Sequence, residues 1–439
     1  MVAKKVVYLR GAYNLFNFGD DLALIAWLAF LYDFQKPGPG NLGIFIEKRF
    51  RSVALLKIAQ NEMAEYSEAP DIAECINEQF IKFCIPIRFP SAFSLIRGIK
   101  KGRILSLIGS FFLSFIILFD LTCYQLFRKC FFIGKHIDFI KRIDVVHYIG
   151  GGYFTDWWRL FVSGEFLVIL FYRIVNPHLR IAGTGLGIGP LKKKLNIFLF
   201  KTFVKRFCFL SLREEQSSDF IEALGLKINK ATLGDDVLLL FPYFQKLKEF
   251  ENLGACPHTA LNFKDFFEHD YRLAGEQIDR YLAGQAPSSA RIEYYCFGRK
   301  PGPDDFSLTA LLKDNRSQPA IIHDPYEEGW LQFVGNLSRA QEAIGFAYHF
   351  GMIATILRVP VVSIYSKDYY KQKLMGGIKQ LNRQAVIFSI DDVSTGRLSE
   401  ALNTARAIDQ NKIRDDMETK YKAMKFQYTS FYNGVLFLD

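Results

Sequence analysis

The sequence predicts two doubly wound α/β domains, each built on a parallel sheet. Three observations carry this. The chain has 439 residues, more than one ordinary core accommodates. It opens on a strand, a glycine-containing loop and a helix, the order in which such a domain begins. The stretch Ala343–Lys373 shows the same alternation late in the chain. It reads as a strand (Ala343–Phe346), a loop carrying His349, an apolar helix (Met352–Leu357), a stop at Arg358-Val359-Pro360, and a strand (Val361–Tyr365) opening into Ser366-Lys367-Asp368. Two buried strands joined by a helix form a parallel crossover. Ligands of such sheets sit beyond the carboxyl ends of the strands, so His349 and Lys367 are expected to face a ligand in one cleft.

In chain order, Lys5–Arg10 is the first strand. The loop Gly11–Asp20 follows, with Asn17 and Gly19, and a helix begins near Leu22. Asp20 or Asp21 can cap that helix, so the loop reads equally as a ligand loop or as a plain turn. Lys36–Gly43 is a turn-rich break before a strand at Ile44–Glu47. The run Ile104–Phe119 is almost wholly apolar, with Lys100, Lys101 and Arg103 before it and Arg128 and Lys129 after it. It falls short of the roughly 20 residues a membrane-spanning helix needs. A helix lying on anionic lipid and a helix packed in the core both fit it.

Ile143–Ile149 is a strand ending in Gly150-Gly151-Gly152, with Asp156 close behind. Such glycines let backbone approach a ligand. Leu179–Gly183 leads into a second glycine-rich loop, which carries Gly187 and Gly189 and ends at Pro190. Neither loop has the GxGxxG spacing of a dinucleotide site. Leu195–Phe207 is amphipathic, with Phe200, Phe203 and Phe207 on one side and Lys201 and Lys205 on another; it can pack on the sheet or touch lipid, and packing is the expectation. Phe209–Leu212 delivers Arg213, followed by Glu214, Ser217 and a helix at Ser218–Leu224. Ala231–Leu240 is a strand and turn expected to expose Asp235 and Asp236.

Gln245–Asn252 reads as the passage to the second domain. Strands follow at Thr259–Asn262, Glu293–Phe297, Ala320–His323 and Ala385–Phe388, with helices at Asp265–Leu282 and Trp330–Leu337. Val393–Phe426 is mostly helical and is expected to pack back across the first domain. The division is therefore 1–245 with an insertion around 90–135, then 255–410, then a helical tail at 411–439.

The formal charge is +10, half the residues are hydrophobic, and Phe numbers 43. A basic balance admits nucleic acid, an anionic membrane or a phosphorylated substrate. The absence of any zinc-finger or RNA-stacking signature argues against nucleic acid. The 7 cysteines are scattered without CxxC pairs, which suggests free thiols in a reducing compartment. The start runs straight into a strand, so no secretory signal is expected. No His/Cys cluster has metal-ligand spacing.

Taken together, Asn17–Asp21, the triple glycine with Asp156, Gly185–Pro190, Ser211–Glu214 with Ser217, Gly225, Gly234–Asp236, Ala347–His349, Val359-Pro360, Tyr365 and Lys367 resemble the polysaccharide pyruvyl transferase family. The resemblance covers nearly the whole chain and is weakest between Phe80 and Lys135. It implies two Rossmann-like domains facing across a cleft, as in GT-B glycosyltransferases. It also implies transfer of pyruvate from phosphoenolpyruvate onto a sugar as a ketal. The acceptor would be a glycan, often a lipid-linked oligosaccharide at the cytoplasmic face of the membrane. The protein would then be cytoplasmic and peripheral to that membrane, with no cofactor. One departure stands out: the family's Arg-x-His motif falls on Ala347, Tyr348 and His349.

The resemblance implies roles. His349 would be the general acid, Arg213 and Lys367 would hold the donor's phosphate or carboxylate, with Ser217 alongside, and Arg339 could replace the missing arginine. Asp20 and Asp236 would be bases or acceptor ligands. Asn17, Gly19, Gly150, Gly151, Gly152, Gly187 and Gly189 would present backbone to the acceptor. A glycosyltransferase using a nucleotide sugar, and an idle scaffold of a membrane assembly, are the competing readings.

Overall fold

The structure is a computed structural model and describes residues 5–11, 17–35, 42–46, 119, 122–127, 137–152, 154–156, 161–249, 258–263, 278, 280–281, 291–298, 321–394 and 397–436. Two parallel sheets organise it. The first contains β1 (Lys5–Gly11), β2 (Leu42–Ile46), β3 (Val145–Ile149), β4 (Arg180–Leu186), β5 (Phe207–Leu212) and β6 (Lys230–Thr232), in the order β2-β1-β3-β4-β5-β6. The second contains β7 (His258–Asn262), β8 (Arg291–Tyr295), β9 (Ile321–His323), β10 (Ala340–Gly345), β11 (Val361–Tyr365) and β12 (Val386–Ser389), in the order β12-β11-β10-β7-β8-β9. Every strand pairing within both sheets is parallel. The winding reverses between β1 and β3 and again between β7 and β10, which is where doubly wound sheets open a ligand crevice.

The first domain's helices are α1 (Phe18–Gln35), α2 (Ile137–Lys141), α3 (Phe161–Val175), α4 (Lys194–Val204), α5 (Glu215–Ala223) and α6 (Phe241–Glu249). Around the second sheet run α7 (Pro325–Glu328), α8 (Trp330–Ser338), α9 (Tyr348–Ile356), α10 (Asp368–Leu381), α11 (Ile390–Ser394) and α12 (Leu398–Arg406). The long helix α13 (Gln410–Leu436) follows.

These elements follow from their side chains. All five residues of β3, VVHYI, are buried. A parallel sheet covered on both faces gives such an apolar run rather than an alternation. α1 is buried on every side from Leu22 to Leu31, which marks a helix enclosed by neighbours rather than lying on a surface. Each large apolar side chain enclosed there contributes about 1.5–3 kcal/mol. One apolar cluster runs through both domains, from Val7 and Leu9 through Trp27 to Trp330, Phe350 and Met417. Phe18 seals the seam. Its N–H donates to the Phe297 carbonyl at 2.9 Å, and its ring meets Phe297 and Phe333 at 5.5 and 5.0 Å. Tyr326 adds a tie by donating to Asp21 Oδ2 at 2.6 Å.

α13 crosses back to the first sheet. Tyr432 pairs through its hydroxyl with His147 Nδ1 at 2.6 Å, and Arg180 donates to the carbonyls of Gly434 and Val435. His147 is thus a core residue, and burial pushes its imidazole down to about 3.

Some expectations change. His349 lies in the first turn of α9, with Ala347 as the N-cap, rather than in a loop. A chain leaving a strand with Ala-Tyr-His has no turn residue to delay the helix. Asp20 and Asp21 sit inside the first turn of α1, which begins at Phe18. The apolar run at 104–118, most of the 90–135 insertion and most of the helix expected at 265–282 lie outside the described residues. Among the described residues, no helix is long and apolar enough to cross a membrane.

Candidate active site

Loops from the carboxyl ends of β3, β4 and β5 meet α9 and α10 of the second domain. Between them lies a pocket of about 220 Å³, lined among others by Gly152, Gly187, Arg213, Gln216, Tyr369 and Lys373. Arg213 is 2% exposed and leaves β5 directly into this space. Its Nε donates to Glu214 Oε2 at 2.5 Å, and its Nη1 lies 4.0 Å from Asp235 Oδ2, beyond hydrogen-bond reach. Nη1 has no hydrogen-bond partner, an orphan donor of the kind an arriving anion satisfies. Burial opposes the Arg213 charge, but Glu214, Tyr348 and Asp235 outweigh it and hold the guanidinium protonated.

The glycine loops fit around this group. A Cβ on Gly187 would run into the Arg213 guanidinium, so only glycine lets the β4 loop close over it. Gly187 N–H donates to the Gly151 carbonyl at 3.0 Å, which ties the two loops together. Ser217 holds them from behind. Its Oγ accepts from Ile188 N–H at 2.8 Å and donates to Glu214 Oε1 at 2.9 Å. Ser217 is fully buried and is not among the residues that line the pocket.

Tyr348 forms the partition on the second-domain side. Arg213 Cζ lies 4.8 Å from its ring centroid and Lys373 Nζ 4.9 Å, so two cations share one aromatic ring. Its hydroxyl donates to Asp235 Oδ2 at 3.3 Å. Behind it, His349 Nε2 stands 3.7 Å from the same Asp235 oxygen. Burial pushes the His349 imidazole below its ordinary value against the pull of Asp235, so it is neutral at neutral pH. Burial also works against the Asp235 charge, yet His349, Arg213 and the Val237 N–H hold its carboxyl below the usual range. His349 in turn rests on Gly19 in the first turn of α1, and Asn17 Nδ2 donates to Asp20 Oδ2 at 2.6 Å beside it.

The structure therefore gathers Gly152, Gly187, Gly189 and Arg213 at the pocket wall, and Asn17, Gly19, Asp20 and His349 at the adjoining seam. Neither His349 nor Lys367 lines the pocket, which corrects the expectation that both face one ligand there. Lys367 is the N-cap of α10, and Lys373 lies about 9 Å further along that helix. Arg339 is the C-cap of α8 at the amino end of β10, the opposite end of the strand from His349. It cannot supply the cation missing at Ala347. Ala347 itself is buried, and its N–H donates to Asn262 Oδ1 at 2.8 Å.

Asp235 and Asp236 are 3% and 0% exposed, contrary to the expected exposed turn. Asp236 Oδ2 accepts from Gly150 N–H and Thr184 Oγ1, both at 2.9 Å, and Oδ1 accepts from Tyr428 at 3.1 Å. It clamps β3, β4 and α13 together and sets the Gly150 turn. Gly150 and Gly151 shape that turn without lining the pocket. Burial pushes the Asp236 carboxyl up to about 7, and the charge of Asp235 adds to this. A raised carboxyl favours the folded state at low pH, so this contribution should fade as pH rises through 7. Asp236→Asn keeps the shape and stays uncharged. Melting temperature from pH 5 to pH 8 should fall for the wild type and vary less in the variant; parallel curves would refute the assignment.

Tyr369, Gln372 and Lys373 escaped notice in the sequence. Their i, i+3, i+4 spacing on α10 was the available signal, since it puts them on one helix face. Among the described residues, no group of three or more His, Cys, Asp or Glu could hold a metal ion. Three cysteines are described, Cys123, Cys208 and Cys296, and all are free thiols.

Comparison with known proteins places this geometry. The fold is similar to UDP-GlcNAc 2-epimerase of Methanocaldococcus jannaschii, crystallised with UDP-GlcNAc and UDP, at a TM-score of 0.51 and 13% identity over 96% of this chain and 99% of that one. It is equally similar to the UDP-N-acetylglucosamine 2-epimerase of Rickettsia bellii, at a TM-score of 0.51 and 10% identity over 99% of both chains. These likenesses establish the GT-B-like arrangement of two parallel-sheet domains. Among curated proteins, the amylovoran biosynthesis protein AmsJ of Erwinia amylovora is 21% identical over 313 residues, 64% of this chain and 73% of that protein. The sequence model of the polysaccharide pyruvyl transferase family matches residues 52–368, ending at the first residue of α10. With its two parallel sheets and a pocket at their carboxyl ends, the chain belongs to the polysaccharide pyruvyl transferase family and is a transferase.

Proposed function

We propose that the protein moves the pyruvyl group of phosphoenolpyruvate onto a sugar of a lipid-linked, cell-surface glycan as a ketal. One observation carries this: Arg213 from one domain and Lys373 from the other line a single small pocket walled by glycine backbone. Phosphoenolpyruvate carries a carboxylate and a phosphate close together, and two convergent cations match that pair. Lys373 thereby takes the place of the arginine absent at Ala347. The name of the AmsJ relative, which refers to the biosynthesis of amylovoran, supports a glycan acceptor.

In the reaction, the methylene carbon of the donor takes a proton and becomes a methyl group. Two sugar hydroxyls then form C–O bonds to the neighbouring carbon, and the bond to phosphate breaks. One hydroxyl proton replaces the proton given up by the acid, and the other leaves with inorganic phosphate. His349 is the acid of this scheme. It is neutral in the empty site, and a multiply charged anion nearby would raise its pKa towards working pH. It stands behind the Tyr348 wall and not on the pocket surface, with Nε2 3.7 Å from the Asp235 oxygen that accepts from Tyr348, so the assignment requires the donor to reach past that ring.

The test is thermal stabilisation by phosphoenolpyruvate against a panel of nucleotide sugars. Phosphoenolpyruvate should stabilise the protein, and Lys373→Met should weaken that affinity about tenfold or more, the usual effect of losing one charge-assisted contact. Stabilisation by a nucleotide sugar alone would replace this reading with glycosyl transfer. No response to either would point to a scaffold.

A further inference from the structure

We propose that the exposed face of α4 is the surface by which the protein docks on an anionic bilayer. α4 carries two patterns at once. Asn196, Phe200, Phe203 and Val204 are buried in the first domain, as a helix packed on a sheet requires. On the opposite face, Leu195 is 65% and Phe198 is 64% exposed. Lys194 precedes Phe198 by one turn and Lys201 follows it by three residues, so all four side chains share one face. Lys192, Lys193 and Lys205 extend the basic character at both ends.

An apolar pair ringed by lysines matches an anionic lipid surface, where the aromatic and aliphatic groups enter the acyl boundary and the ammonium groups meet headgroup phosphates. A protein partner with an apolar patch would not call for the lysines. The entry to the helix is held rigidly, because Asp156 accepts from the N–H groups of Lys192 and Lys193 at 2.6 and 3.2 Å and from Asn196 Nδ2 at 2.7 Å. Its position is also apt, since the basic run begins two residues after Pro190, which lines the pocket. Docking by α4 would therefore present the pocket rim to a lipid-borne acceptor. The surface assignment goes beyond the proposed transfer reaction, and its readout needs no turnover.

The experiment is co-sedimentation of the full chain with phosphatidylcholine vesicles, with and without phosphatidylglycerol, at low and high salt. The wild type should bind the anionic vesicles and release at high salt. Leu195→Glu/Phe198→Glu should lower partitioning roughly tenfold or more, since both apolar anchors are lost. Lys194→Gln/Lys201→Gln should lower it by about fivefold per lysine. Both variants should keep the wild-type melting temperature and its response to phosphoenolpyruvate, which reports on folding and on the pocket separately. Undiminished binding by both variants, or no binding by the wild type, would overturn the proposal. So would light scattering showing that Leu195→Glu/Phe198→Glu only dissociates a dimer.

Discussion

Arg213→Lys is expected to lower pyruvyl transfer by about 10²–10³-fold, the range typical of losing one preorganised donor at a developing or transferred anion. The charge survives the substitution but the geometry does not. Arg213 bonds Glu214 through Nε, keeps Nη1 without a hydrogen-bond partner 4.0 Å from Asp235, and lines the pocket. A lysine is a single point of charge on a flexible stem and cannot serve both. It would settle on Glu214, the nearer carboxylate, and leave the donor with Lys373 alone. Steady-state transfer and calorimetric affinity for phosphoenolpyruvate both check this. A variant with affinity and turnover within threefold of the wild type would show that Arg213 only neutralises Glu214 and Asp235.

Gly19→Ala should be nearly as damaging through an unrelated cause. The added Cβ would fall inside the His349 imidazole, at a place where both backbones are fixed within helices. Overpacking of this kind typically costs about 1–3 kcal/mol, and here it also prises α1 away from α9. The melting temperature should drop, and transfer should fall because the His349–Asp235 approach is lost. Gly19→Ala combined with His349→Gly removes the clash, so it should recover the stability but not the activity. If the double variant is no more stable than Gly19→Ala alone, the contact is not the cause.

Most of the fold was legible in the sequence. Apolar runs bounded by glycines and polar turns located nearly all the described strands, because strands buried on both faces have no other way to read. The parallel crossover at Ala343–Tyr365 and the helical return of the tail were visible for the same reason. What failed was the assignment of side chains to one side of a wall or another. Asp235 and Asp236 look like an exposed turn on the page, since two adjacent aspartates are usually solvated. They are buried because α13, almost two hundred residues later, brings Tyr428 onto Asp236. Arg339 and His349 lie close in sequence, yet β10 carries them to opposite ends of the sheet.

The sequence by itself determined the two-sheet architecture, the glycine loops and the arginine at the end of β5, because each depends on local pattern and on where strands must stop. Only the tertiary structure decided which cations share the pocket. Lys373 reaches it because α10 packs across the seam against a first-domain loop. That packing depends on contacts between residues distant in the chain, and no local pattern records them.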